Sequence, residues 1–363
     1  MQYIYYASQD FPQEQFKKLF KSKETKNTIY NYMEILKRNG INNPYIFYEL
    51  EQRGCTYAYV TNAIITKIIM ESNQELTDSD IKDIFGFSLS RDGNTLDCNM
   101  LMIDMFASLY DKVKLTLHKY QTYHYKSAID AAKDLFGRDF SSEQEAVIEL
   151  FNNGIVLDGI DETTKENKYR NIKSSNDVIY GSYPEIAKSL LNINDEGMDK
   201  EKLKVLLMDK GITFEEHDKS PESKFSGLTR DNINSWVNYY LLKKNINIEF
   251  KSETIEQDNM TYDEFQDHLK ELLGEGYILG VSSSPGSNAF ITSTEEKIGV
   301  SSKQAGHSML IVGFNDNNDL LVSSWGRDFI IPKENYRNFR YTKAQIKTPK
   351  AEITNDKKSV FKY

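Results

Sequence analysis

Two short apolar runs near the C-terminal end, separated by a turn of asparagine and aspartate, place the strongest constraint on how this chain folds. The runs are Met309-Leu310-Ile311-Val312 and Leu320-Leu321-Val322, with residues 315–319 between them. Asparagine and aspartate tolerate a left-handed backbone, so apolar runs on either side of them predict a β-hairpin. The hairpin would place His307 at the start of one strand and Ser323 near the end of the other. Paired strands hold two such side chains at a fixed distance, as a general base and the residue that orients it require.

Cys55 is the candidate nucleophile. Gly54 precedes it and permits a tight turn, and the run from Ala58 to Met70 contains neither proline nor glycine. The spacing of apolar residues in this run predicts a buried helix, with a strand as the competing interpretation because many of them are β-branched. At a helix N-terminus, the dipole and the free backbone N–H groups favour a thiolate and could stabilise an oxyanion. Cys98 lacks a preceding glycine turn and is expected to be structural.

Taken together, these motifs resemble those of papain-like cysteine peptidases. The matching residues are Gly-Cys-x-aromatic at 54–57, Gly-His-Ser followed by apolar residues, Val, Gly and an aromatic at 306–314, and Ser-Trp-Gly at 324–326. The resemblance implies that Cys55 attacks a peptide carbonyl and that His307 is its base. It also implies that Trp325 shields His307 and its orienting residue from water.

The residue that orients the histidine departs from the family pattern. The family has an asparagine immediately before Ser-Trp-Gly, where this sequence has Ser323. A serine hydroxyl can accept a hydrogen bond from the imidazole, although more weakly and over a shorter reach than a carboxamide. Ser323 is therefore the expected third catalytic residue, and Asp319 and Asp316 are less favoured substitutes because the turn should direct them to solvent.

The oxyanion hole also departs from the pattern, because the family uses a glutamine on a loop several residues before the cysteine. Gln52 is the glutamine in the corresponding loop, but it lies closer to Cys55 than the family spacing, and Glu49 is nearer the expected position. By resemblance, the oxyanion hole is expected to consist of Gln52 and the backbone N–H of Cys55.

The resemblance implies an α+β, papain-like fold in which a helical N-terminal half packs on an antiparallel, β-rich C-terminal half. The long stretch between Cys55 and His307 carries mostly helical patterns, so an enlarged helical insertion is expected. A polar loop is predicted at residues 158–175, and no internal repeat of fixed period is apparent. Four parts are predicted: 1–74 with the first helices and the nucleophile helix, 75–245 as a mainly helical extension or insertion, 246–345 as the β-rich half carrying His307, and 346–363 as a basic tail.

Composition limits the class of function. The chain has 363 residues, 39% of them hydrophobic, and a formal net charge of −9, which predicts a substantial core and no basic surface for nucleic acid or anionic membranes. No cysteine pair, His-Glu-x-x-His motif or phosphate-binding glycine loop occurs, so neither a metal nor a cofactor is expected. The first 20 residues include charges and no apolar core, so no signal peptide and no membrane span are expected there.

The leading hypothesis is a cysteine peptidase that acts on protein or peptide substrates. The protein would be cytoplasmic, or exported without a classical signal, or would have lost its signal. Its lysine-, asparagine-, isoleucine- and tyrosine-rich, proline-poor composition is typical of AT-rich bacterial genomes, whose cysteine enzymes include effectors and toxins. Two alternatives stay open. One is a papain-like acyltransferase or deamidase, which forms the same thioester, and the other is an inactive papain-like binding scaffold, which the departures at Ser323 and Gln52 would favour.

Overall fold

The chain combines helices with largely antiparallel sheets, which confirms the predicted α+β class. The computed structural model describes residues 3–5, 7, 32–42, 46–72, 76–91, 93, 95–171, 175–219, 228–257, 259–283, 288–292, 297–299, 306–324, 327–348, 350–353 and 359–362. The chain divides into two compact units, one formed by Met1–Tyr110 with Pro221–Tyr363 and the other by Asp111–Ser220.

The helices have the following bounds. They are α1 Ile46–Arg53, α2 Cys55–Glu71, α3 Asp78–Phe85, α4 Cys98–Leu109, α5 Ala128–Phe136, α6 Glu143–Asn152, α7 Tyr183–Leu191, α8 Lys200–Met208, α9 Ile233–Lys243 and α10 Tyr262–Gly274. Residues 32–38 are also helical, and Lys333–Asn338 form a 3₁₀ helix. Among the described residues, no helix combines the length and the hydrophobicity needed to cross a bilayer.

The strands have the following bounds. They are β1 Tyr3–Tyr5, β2 Thr95–Asp97, β3 Val113–Lys119, β4 Thr122–Tyr125, β5 Ile155–Ile160, β6 Asn167–Asn171, β7 Ser175–Gly181, β8 Ile212–Lys219, β9 Glu249–Ile255, β10 Ile278–Ser283, β11 Asn288–Thr292, β12 Lys297–Gly299, β13 His307–Phe314, β14 Leu320–Ser324, β15 Arg327–Ile331, β16 Phe339–Lys347, β17 Lys350–Ile353 and β18 Ser359–Lys362.

The larger unit is built on an eight-stranded antiparallel sheet, in the order β12-β11-β15-β14-β13-β10-β16-β9. Near its centre, β13 and β14 form the predicted hairpin, which is thereby confirmed. In the turn, Asn315 Oδ1 accepts hydrogen bonds from the N–H groups of Asn317 at 3.0 Å and Asp319 at 2.8 Å. Asn318 has φ +65°, the left-handed conformation for which asparagine is suited.

The two faces of this sheet bury different helices. On one face, Phe265 and Leu269 of α10 lie in a core with Met309 and Val322 of the hairpin. Side chains alternate between the faces of a strand, so Ser308 and the position of Gly280 belong to the other face. Helix α2 lies on that face.

Helix α2 is surrounded by the larger unit. Of its 17 residues, 11 are buried, so the helix that the sequence predicts after Cys55 is confirmed and the strand interpretation is wrong. On the sheet side, Tyr59 lies against Gly280 so closely that a Cβ at Gly280 would be 2.5 Å from the Tyr59 ring. On the other side, Tyr57 packs edge-to-face on Phe106 of α4, with 5.3 Å between the ring centroids.

A buried carboxylate joins the helices behind α2. Asp104 of α4 accepts hydrogen bonds from Tyr240 Oη at 2.8 Å, from Lys244 Nζ at 3.0 Å and from Asn39 Nδ2 at 3.0 Å. Burial, together with this carboxylate, raises the pKa of Tyr240 well above its usual value, so the phenol stays protonated and donates. A buried charge with this many partners is compensated, and the network fixes α4 against α9 and the 32–38 helix.

The smaller unit contains two three-stranded sheets, each covered by a helix pair. A strand–helix–helix–strand run supplies the outer strands of each sheet, with β4-α5-α6-β5 in the first and β7-α7-α8-β8 in the second. The middle strand is β6 in the first sheet and β3 in the second. The second half therefore takes its middle strand from the segment that precedes the first half.

Equivalent helix positions in the two halves carry equivalent residues. The first helices are capped by Ser127 and Ser182, 55 residues apart, and the second helices by Ser142 and Asp199, 57 residues apart. The corresponding core positions are Ala131 and Ile186, Ala132 and Ala187, Ala146 and Leu203, and Leu150 and Leu207. The two halves of the smaller unit thus share one arrangement of strands and helices, and the unequal spacing of their helices is consistent with the absence of a fixed period in the sequence.

Two of the four predicted parts contain strands that were not predicted from the sequence. Residues 75–245 contain strands as well as helices, because the unit Asp111–Ser220 includes β3 to β8, and three of these lie wholly or partly in the predicted 158–175 loop, namely β6, the end of β5 and the first residue of β7. These strands are short and half-exposed, and β3 alternates buried and partly buried residues, a two-residue period that is easily lost in polar sequence. In the predicted basic tail 346–363, β17 pairs with β18.

Replacing Gly280 with alanine tests the contact between α2 and the sheet. The added Cβ would lie 2.5 Å from the Tyr59 ring and 2.8 Å from Thr342 Oγ1, so we expect a loss of about 1–3 kcal/mol in the free energy of unfolding, measured by urea denaturation. Gly274→Ala is the matched control, because no atom lies within 4 Å of its added Cβ and alanine is the better helix residue. An unchanged midpoint in Gly280→Ala would show that α2 and β10 are farther apart than described.

Candidate active site

Cys55 is the first residue of helix α2, and the bend before it requires glycine for a steric reason. Gly54 has φ −80° and ψ −5°, a conformation open to any residue. However, a Cβ at Gly54 would lie 2.3 Å from the carbonyl oxygen of Leu50, in the last turns of α1. Glycine thus allows α1 and α2 to follow each other without a spacer, which leaves the first backbone N–H groups of α2 beside Cys55.

His307 begins strand β13 and is buried, with 6% of its surface exposed. Its backbone N–H donates to Ser283 Oγ on β10 at 3.1 Å. Its ring nitrogen Nε2 lies 2.6 Å from Ser324 Oγ, a short hydrogen bond within the buried region. Burial lowers the pKa of the imidazole from 6.5 to about 4, so the ring is neutral at physiological pH.

The imidazole forms its hydrogen bond with Ser324, the residue after the predicted Ser323, and the catalytic role of Ser323 stays a prediction. Leu310 pairs with Ser323, and Ile311 pairs with Val322. Residues directly opposite each other share a face of the sheet, so Ser323 lies on the face of Leu310 and away from His307.

A β-bulge in β13 explains why Ser324, and not Ser323, lies on the same face of the sheet as His307. The register shifts between Ile311 and Gly313, where Gly313 pairs with Leu321 and has φ +150°. Without the shift, Ile311 would pair with Ser323, and Ser323 would share the face of His307. One extra residue in the strand reverses which side chains face each other.

Cys55 and His307 line the same small cavity, of about 10 Å³, at the end of the hairpin. The wall includes both Ser323 and Ser324, because side chains from both faces reach a strand end. Cys55 Sγ lies 3.9 Å from Thr56 Oγ1, and the described residues include no hydrogen bond between Sγ and the imidazole. The thiol and the imidazole therefore line one cavity, and the imidazole Nε2 is directed to Ser324.

The other predicted site residues are placed as follows. Gln52 lies inside helix α1, which corrects its predicted position on a loop, and its side chain is outside the described residues. Trp325 also lies outside them. Cys98 is fully buried, and burial, with Asp97 beside it, raises the pKa of its thiol well above the usual value. Cys98 is thus an inert core thiol, as predicted.

Sequence reasoning missed two polar residues of α2 that shape the site. Asn62 accepts from the N–H of Ala7 at 2.9 Å and donates to its carbonyl at 3.2 Å, so it holds Ala7 in the cavity wall. Thr56 Oγ1 lies 3.3 Å from Ser308 Oγ and so links the residues that follow Cys55 and His307. The sequence does contain a signal for Asn62, because an asparagine buried in an otherwise apolar helix needs a specific hydrogen-bond partner.

Among the described residues, no group of three or more His, Cys, Asp or Glu side chains is arranged to hold a metal ion.

No protein-family model matches the sequence, and no curated protein matches it either. The resemblance to a family therefore depends on the sequence motifs alone.

A serine pair provides a matched test of the imidazole contact. Ser324→Ala removes a 2.6 Å hydrogen bond from a buried ring nitrogen, so we expect a loss of about 1–3 kcal/mol in the free energy of unfolding. Ser323→Ala, on the other face, should change it by less than about 0.5 kcal/mol. Urea denaturation of the two variants measures both values, and a larger loss in Ser323→Ala would contradict the observed register.

The lowered pKa of His307 predicts a pH dependence of stability. Between pH 6.5 and about 4 the unfolded chain binds a proton at this histidine that the folded chain does not, so folding stability falls as the pH falls through this window. His307→Ala should reduce the slope of unfolding free energy against pH there by up to about 1.4 kcal/mol per unit. An identical slope in His307→Ala would exclude a buried neutral imidazole.

Proposed function

We propose that the protein is a papain-like cysteine peptidase in which Cys55 is the nucleophile and His307 is the base. The observation that carries the proposal is the shared cavity of a helix-terminal cysteine and a histidine whose far nitrogen bonds a serine. These three roles are the ones a thiol hydrolase requires. The hairpin and the buried nucleophile helix support a papain-like arrangement.

The reaction follows from the positions of the groups. Cys55 Sγ attacks the carbonyl carbon of the scissile bond and its proton passes to His307 Nδ1, while the carbonyl oxygen gains the negative charge. Backbone N–H groups at the start of α2 stabilise that charge. In the tautomer that reacts, Nε2–H donates to Ser324 Oγ, which orients the ring. His307 then protonates the leaving amine, and water hydrolyses the thioester to release the acid and the free thiol.

The environment of His307 predicts a weak base. A general base is most effective when its pKa is near the working pH, and burial lowers the pKa of His307 to about 4. A serine hydroxyl also stabilises an imidazolium less than a carboxamide would. The resting imidazole is therefore neutral, and we expect modest turnover.

The small cavity favours a second candidate, a papain-like fold that binds without catalysis. A volume of about 10 Å³ holds about one water molecule and no substrate carbonyl, so catalysis needs the cavity to open. A binding scaffold has no such need. The reactivity of the thiol separates the two candidates.

Thiol labelling compares the two cysteines directly. Iodoacetamide should modify half-buried Cys55 in the folded protein and leave fully buried Cys98 unmodified, as read by peptide mass spectrometry. In digests of a peptide library, Cys55→Ala should lower turnover by roughly 10³-fold or more with little change in stability. Backbone cleavage would identify a peptidase, and conversion of glutamine to glutamate would identify a deamidase. An unreactive Cys55 in a folded protein would leave the binding scaffold.

A further inference from the structure

A second cavity lies beside the Cys55 cavity and is larger. It measures about 60 Å³, whereas about 10–15 Å³ suffices for one water molecule, so it can accept a small polar group. The two cavities share Tyr59, Ser308 and Met309 in their walls. We call it the hydroxyl cavity, because five of its lining residues carry aliphatic hydroxyl groups: Thr56, Ser252, Ser282, Ser308 and Thr342.

These hydroxyl groups keep unused hydrogen-bonding capacity. Thr56 Oγ1 and Ser282 Oγ each lie 3.3 Å from Ser308 Oγ. Thr342 Oγ1 lies 3.5 Å from Tyr59 Oη. Strong O–H···O bonds are about 2.5–3.0 Å long, so these contacts are weak. Each hydroxyl offers one donor and two acceptor sites, and a ligand in the cavity could form shorter bonds with several of them.

The charge of the cavity favours an anion. Among the described residues that line it, Arg230 alone is charged. Its Nε lies 3.5 Å from Asp231 Oδ1, and both of these side chains are largely exposed, so the pair contributes little and leaves the guanidinium able to turn. A guanidinium with several hydroxyl donors matches a carboxylate, which accepts hydrogen bonds and pairs with arginine through two oxygens.

We propose that the hydroxyl cavity binds the carboxylate of an aspartate or glutamate side chain of the substrate, close to the bond that Cys55 attacks. This inference rests on the proposed function. The cavity begins one residue beyond each reacting group, since Thr56 follows Cys55 and Ser308 follows His307. A lysine side chain of the substrate would be repelled by the positive charge of Arg230. A leucine side chain would leave the hydroxyl groups of the cavity without hydrogen-bond partners, and a polar site discriminates strongly against such a substrate.

The test uses affinity labels, which need only a reactive Cys55 and no turnover. Short peptides carrying the same chloromethyl ketone are made with glutamate, glutamine or lysine next to the reactive carbonyl and at the position before it. We expect the glutamate label to modify Cys55 at least about tenfold faster than its glutamine isostere at one of the two positions, and the lysine label to be slowest.

The variants assign the preference to the cavity. Arg230→Ala should lower the ratio of glutamate to glutamine rates about tenfold, and Arg230→Glu should invert it. Arg138→Ala, an exposed arginine of the smaller unit, is the matched control and should keep the wild-type ratio.

The outcomes separate the two proposals. Equal rates for all labels, or a glutamate preference that survives Arg230→Ala, would overturn the acidic specificity while a labelled Cys55 still supports the proposed enzyme. A glutamate preference in labelling without cleavage of any peptide would uphold the cavity assignment and count against the peptidase. A Cys55 that no label modifies in the folded protein would overturn both.

Discussion

The structure of the larger unit depends on one close contact, the Tyr59 ring of α2 against the bare backbone of Gly280. Any side chain at Gly280 would push the helix away from the sheet, because an added Cβ would lie within 2.8 Å of both Tyr59 and Thr342. With the helix seated at this distance, Thr56 reaches Ser308 on β13 and Cys55 reaches the cavity that His307 lines. On the opposite side, α4 supports the helix and is itself fixed by the Asp104 network. The site is therefore a consequence of how closely a buried helix can approach a sheet.

The second determinant of the site geometry is the β-bulge in β13, which determines which serine forms the hydrogen bond with the His307 imidazole. Side chains in a strand alternate between the two faces of the sheet. One inserted residue therefore moves every side chain beyond it to the opposite face relative to the partner strand. The result is a contact between His307 and Ser324 on the face of the α10 core, while Ser323 lies with Leu310 on the α2 face. Ser324 is buried, so its hydrogen bond is shielded from water, which compensates in part for the weakness of a hydroxyl acceptor.

Several features could be predicted from the sequence because each depends on local chemistry. The Asn/Asp turn specifies the hairpin, and the uninterrupted apolar run after Cys55 specifies a buried helix. The register of β13 against β14 could not be predicted, since Gly313 is ambiguous between a strand residue and a bulge. The strands of the unit Asp111–Ser220 were missed because their exposed faces are polar and their lengths are short. The similar arrangement of its two halves could not be predicted either, because the second half takes its middle strand from an earlier segment and the helices recur at two different spacings.

Burial both orients and weakens the proposed base. The same removal from water that shortens the bond between His307 and Ser324 also disfavours the imidazolium that catalysis must form, which is why the pKa of the ring is lowered to about 4. A substrate entering the cavity would bring a polar carbonyl and a developing negative charge next to the ring, and an adjacent anion favours the protonated imidazole. The base would then become effective only when the substrate is bound. In that arrangement, binding of the substrate in the neighbouring hydroxyl cavity would supply the free energy that opens the cavity around His307 to the scissile carbonyl.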